Sequence, residues 1–109
     1  MKIYICNKYD MEKKEFETPE FFDDEKFFIT IKNSTDSNFA FSYNERNVLR
    51  ITFDDISDVV EQDQNTVIFN EKLASIIFNF VNRLNPKKLL YINCEDGIGR
   101  SGALGIVIN

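Results

Sequence analysis

Histidine and tryptophan are absent from this 109-residue chain, and cysteine and proline occur only twice each. Without histidine the chain lacks the commonest protein metal ligand and the side chain that ordinarily titrates near neutral pH. Cys6 and Cys94 stand far apart, so there is no transition-metal ligand spacing, and neither a metal nor a cofactor is expected. Adjacent Asp54 and Asp55 at a strand end would point to opposite faces, which argues against a shared cation there. Two cysteines cannot form a disulfide framework either, which fits a reducing compartment. No apolar run approaches the roughly 20 residues of a membrane span. The start, MKIYICNKYD, lacks the charged-then-apolar pattern of a signal peptide, so the cytoplasm is the expected location. Basic residues are the scarcer sign, 13 against 18 acidic, and the net charge of −5 disfavours nucleic acid and anionic membrane as partners. It does not disfavour a local cationic pocket. With no linker, repeat or low-complexity tract, residues 1–109 are expected to form a single domain.

What is present reads as alternating strands and helices. Lys2–Cys6 (KIYIC) and Phe27–Lys32 (FFITIK) carry β-formers, as does Val48–Phe53 (VLRITF). Between the first two, Thr18-Pro19-Glu20 has the form of an N-cap with proline at the first helical position. Residues 33–47 are polar and turn-rich, with Phe39, Phe41 and Tyr43 alternating inside them as an edge strand packed on the core would. Asn70–Leu84 is a helix: Asn70 can cap it, Leu73, Ile76, Ile77, Phe80, Val81 and Leu84 make an apolar stripe, and Asn85-Pro86 stops it. Lys88–Asn93 (KLLYIN) is a buried strand, and ALGIVIN after residue 102 continues as a buried helix. The expected fold class is α/β, a central, largely parallel sheet flanked by helices.

The segment Cys94–Gly102, CEDGIGRSG, joins that last strand to that last helix, where backbone N–H groups and the helix dipole favour an anion. Gly97 and Gly99 let the backbone curl close to a ligand, so the amides of Glu95, Asp96, Gly97, Ile98, Gly99 and Arg100 can form a phosphate cradle. Arg100, separated from Cys94 by five residues, offers a planar fork that matches two phosphate oxygens. Cys94 is the one loop residue able to bond covalently to phosphorus, and must do so as a thiolate, which inward amides and Arg100 favour. Ser101 can hydrogen-bond the sulfur as it leaves. The bland alternative is a buried cysteine in a glycine-rich turn, a common arrangement. Cys6 reads as a core residue, with a role as disulfide partner of Cys94 the lesser alternative.

This signature, a Cys, five residues, an Arg and a Ser, resembles that of the cysteine-dependent protein tyrosine phosphatase superfamily. GIGRSG is similar to the loop of tyrosine-specific members, and the small size to the compact dual-specificity or prokaryotic type. The likeness covers at least Val48 to Gly105 and is weaker in the first strands. It implies hydrolysis of phosphate monoesters through a cysteinyl-phosphate, with Cys94 as nucleophile, phosphorylated protein as substrate and no cofactor. It also implies a general acid, for which Asp55 in FDDI is the matching position and Asp54 and Asp58 the next choices, Glu61 and Asp63 lying in the same acidic stretch. The absence of lysine from the cradle favours phosphotyrosine over substrates carrying further phosphates. The sequence departs from the family at Asn93, where a histidine is usual, and runs only to Asn109 where relatives continue with further helices. A final helix that is apolar almost all round, Ala103 to Ile108, would then leave a face open to self-association. Arsenate reduction would need more cysteines, and RNA triphosphatase chemistry a more basic surface. From another class, a binding module for phosphorylated proteins that kept the cradle without catalysis is the main alternative.

Overall fold

In the computed structural model the described residues are 2–21, 25–35, 39, 47–54, 69–84, 88–94, 100 and 103–105. Strand β1 (Lys2–Asn7) runs without a loop into helix α1 (Lys8–Glu17), and a single 3-10 turn, Pro19–Phe21, precedes β2 (Lys26–Lys32). Strand β3 (Val48–Thr52), helix α2 (Glu71–Asn82) and β4 (Leu89–Cys94) follow. The strands form one sheet in the order β1-β4-β2-β3 with every pairing parallel. The α/β class expected from the sequence is therefore present, with the expected strands ending within a residue or so of their observed limits.

The connections explain where the helices sit. From β1 the chain passes over the place of β4 to reach β2, and from β3 it returns over β2 to reach β4. Crossovers of one hand running in opposite directions must lie on opposite faces of the sheet. Accordingly, Met11 of α1 packs with Phe28, Cys6, Val48 and Tyr91 on one face, together with Phe21. Ile77, Phe80 and Leu84 at α2 pack with Ile29, Ile31, Ile51, Leu90 and Ile92 on the other. Covered on both sides, β2 and β4 read as near-continuous apolar runs, which is the pattern of an internal parallel strand.

Helix α2 starts where the sequence places it, with the Asn70 side chain accepting from Leu73 N–H at 3.0 Å. It is shorter than Asn70–Leu84, ending at Asn82 with Arg83 as its cap, and Ile76 of the expected stripe is turned out to solvent. The region after β1 differs more. Thr18 ends a helix instead of starting one: its N–H donates to the Lys14 carbonyl at 2.9 Å, and the N-cap is Asn7, whose side chain accepts from Asp10 N–H at 2.8 Å. Helix α1 gives little periodic signal because Met11 is its one buried residue. Phe39 lies beneath the Lys32 ammonium, 5.4 Å from its ring centre, while Phe41, Tyr43 and residues 106–109 fall outside the described residues. No helix among the described residues is long and apolar enough to cross a membrane.

Candidate functional site

Strands β1 and β4 are neighbours whose onward paths diverge. After β1 the chain turns to the α1 face; after β4, helical residues 103–105 lie against the opposite face of β1, Leu104 within the α2-side core. A Cβ placed on Gly105 would come within 2.9 Å of Ile5 Cδ1 and 3.7 Å of Ile3 Cγ2, which measures how closely this segment approaches the strand. In parallel sheets such a divergence opens a crevice at the carboxyl ends of the strands, the usual place for a ligand.

Cys94 is the last residue of β4, in register with Asn7, and is fully buried on the α2 side. Arg100 enters the same edge from beyond β4 and is only 9% exposed. Its Nη1 donates to the Phe53 carbonyl at 2.8 Å and to Oδ1 of Asn33. Asn33 directly follows β2 and Phe53 directly follows β3, so one guanidinium ties together the ends of two strands while its own segment departs from a third. The same ends are joined again by Asp54, whose Oδ1 accepts from Ser34 N–H at 3.1 Å and whose Oδ2 accepts from Ser34 Oγ at 2.7 Å. The Phe53 ring stands edge-on to Phe69, centroids 5.1 Å apart, and walls this edge with apolar surface.

The electrostatics of Arg100 are unbalanced. Both groups that Nη1 meets are neutral acceptors, Nε is buried with no hydrogen-bond partner, and no carboxylate pairs with the guanidinium among the described residues. An unpaired buried charge costs on the order of several kcal/mol, and a buried donor without an acceptor adds to it. An oxyanion on the Nε side would supply both the missing charge and the missing acceptor.

Behind this edge, Asn93 of β4 and Thr30 of β2 are paired in register on the α1 face. Both are buried, and Asn93 Nδ2 and Thr30 Oγ1 find no partner. Cys6 lies on that same face, in register with Asn93. Burial pushes its thiol above the ordinary value, nearby Asp10 pushes it further, and Lys14 pulls the other way. Cys6 and Cys94 therefore belong to adjacent strands but opposite faces, a geometry that does not permit a disulfide between them without moving the backbone. The alternative reading of Cys6 as disulfide partner is set aside on that ground, while its reading as a packed residue stands.

Of the residues expected at the site, the structure brings Cys94 and Arg100 to one edge. Glu95, Asp96, Gly97, Ile98, Gly99, Ser101, Asp55, Asp58, Glu61 and Asp63 lie outside the described residues. Asp54 is at the edge, with both carboxylate oxygens engaged by Ser34. Asn33 and the Phe53 carbonyl were not anticipated. Asn33 opens the polar NSTDSN stretch directly after a strand, a turn signal with nothing in it to announce an arginine partner. Comparison of the chain with family models, with curated proteins and with solved structures finds no match.

Proposed function

We propose that this chain is a cysteine-dependent phosphatase of the small dual-specificity type, acting on phosphorylated protein, with phosphotyrosine as the favoured substrate class. One observation carries the reading: a nearly buried arginine with no carboxylate partner among the described residues, positioned by neutral acceptors, at the strand edge where a cysteine ends β4. Such a site is prepared for an oxyanion and has a nucleophile beside it in sequence. In the proposed reaction the Cys94 thiolate attacks phosphorus, an S–P bond forms and the P–O ester bond breaks, and Asp55 as carboxylic acid gives its proton to the leaving oxygen. Water then attacks phosphorus, Asp55 takes the proton, the S–P bond breaks with Ser101 donating to the sulfur, and inorganic phosphate leaves. The loop amides from Glu95 to Arg100 and the Arg100 fork carry the charge on the equatorial oxygens. A thiolate nucleophile of this kind suits the reducing cytoplasm.

A second reading, a module that binds phosphorylated protein without turnover, is favoured by the engagement of Asp54: the one candidate acid among the described residues is occupied in holding Ser34. Turnover of p-nitrophenyl phosphate separates the two. Wild-type protein is expected to release p-nitrophenol in multiple turnovers and Cys94→Ser to fall to background, with phosphate inhibiting competitively. Binding of phosphate without turnover would establish the module instead, and neither activity nor phosphate binding would refute both readings.

A further inference from the structure

The acceptors around Arg100 invite a question that its spacing from Cys94 does not answer. A buried guanidinium is commonly held by a carboxylate, which fixes its orientation and cancels its charge together. Here the orientation is fixed by a side-chain amide and a peptide carbonyl, so the positive charge is held in place and no carboxylate among the described residues cancels it. Nη1 is the nitrogen engaged, and Nε is buried without an acceptor. The carboxylate nearest in sequence to these acceptors, Asp54, is bound by Ser34 and makes no ion pair with Arg100. The turn Asn33-Ser34 thus does two things with consecutive residues: the first orients the cation with a neutral oxygen, and the second occupies the adjacent carboxylate.

We infer that Asn33 is a positioning residue for oxyanion binding: it orients Arg100 through Nη1 while preserving the full positive charge for a ligand on the Nε side. This rests on the reading of Arg100 as the phosphate-binding cation and deepens it, since the site then selects for ligands that bring charge as well as oxygen acceptors. A dianionic phosphate ester and a monoanionic diester both satisfy the two requirements, and a neutral ester satisfies only the second. Asn33 touches neither substrate nor reacting atoms in this arrangement; it acts through the arginine.

The isosteric substitution Asn33→Asp tests the inference because it keeps the acceptor and adds the missing charge. Two readouts should move in opposite directions. Without ligand, the variant should melt at higher temperature than wild type, since the buried cation gains a partner. Its affinity for inorganic phosphate, by calorimetric titration at fixed ionic strength, should fall by about tenfold or more, since the carboxylate competes for the same charge. Asn33→Ala, which loses the acceptor without adding charge, should weaken phosphate binding and lower the melting temperature together. A merely structural asparagine would make stability and affinity fall in both variants, and that result would overturn the inference. Unchanged phosphate affinity in Asn33→Asp would overturn it too. If wild type itself binds no phosphate, the site reading fails, and the melting temperature of Asn33→Asp still decides separately whether Asn33 faces an uncancelled charge.

Discussion

Arg100 and Cys94 are legible to different degrees from their neighbours because they lie in one short segment, and short segments carry their own spacing. The acceptors of Arg100 do not. Asn33 is 67 residues away and the Phe53 contact, at 47, is through a backbone carbonyl, which every residue type possesses. The proposed proton transfer is what can be tested most sharply at this scale. Asp55→Asn is expected to lower kcat strongly for phosphotyrosine and little for aryl phosphates whose phenols leave readily, because activated esters need less protonation. The measurement is the dependence of kcat on leaving-group pKa, which should steepen. Equal losses across the series would remove Asp55 from the role and pass the test to Asp58. Asp54 is a weaker candidate than its place in the sequence implies, because its two oxygens already bind Ser34.

Helices α1 and α2 show what makes an element readable. Along α2, Leu73, Ile77, Phe80, Val81 and Leu84 all turn toward the core, and Asn70 supplies a cap with a side-chain acceptor, so period and boundary are both written in the residues. Asn70→Ala is expected to lower stability by about 1 kcal/mol, the usual cost of losing such a cap, read as a fall in the urea midpoint at unchanged slope. Asn70→Ser should recover most of it. Along α1 the only deeply inserted side chain is Met11, and Phe16 is 88% exposed, so there is no stripe for a period to appear in. Its cap is hidden as well, because Asn7 belongs at the same time to β1. Thr18-Pro19 then has the form of a helix start although it follows a helix end, where proline is also favoured because it cannot continue the helix.

At the scale of the whole molecule the described residues cover the two faces of the sheet unequally. Among them the α2 face is packed by many side chains, and on the α1 face Met11 and Phe21 pack over Phe28 and Tyr91. Met11→Ala should therefore cost about 2–5 kcal/mol, a large part of the roughly 5–15 kcal/mol that holds a domain together. Phe16→Ala on the same helix should change stability by less than about 0.5 kcal/mol. Urea denaturation of both variants checks the pair, and similar losses would mean that α1 packs differently. The class of fold was legible because parallel strands separated by a helix leave a clear alternation of patterns. The strand order was not, since apolar runs of similar length do not say which neighbour each will take.

That order bears on how the chain reaches its structure. Among the described strands β4 alone bridges β1 and the β2–β3 pair, yet it occupies Leu89–Cys94, after the other three. On the ribosome β1 therefore emerges long before its described partner, and β1 stays unjoined to the β2–β3 pair until the cysteine-bearing strand is released. Insertion of a late strand between two waiting ones is a step of high sequence separation, slow by its topology and with apolar edges open while it is pending. The residue proposed as nucleophile is thus also at the end of the strand that joins β1 to the β2–β3 pair, and the proposed site can form only once that strand is in place.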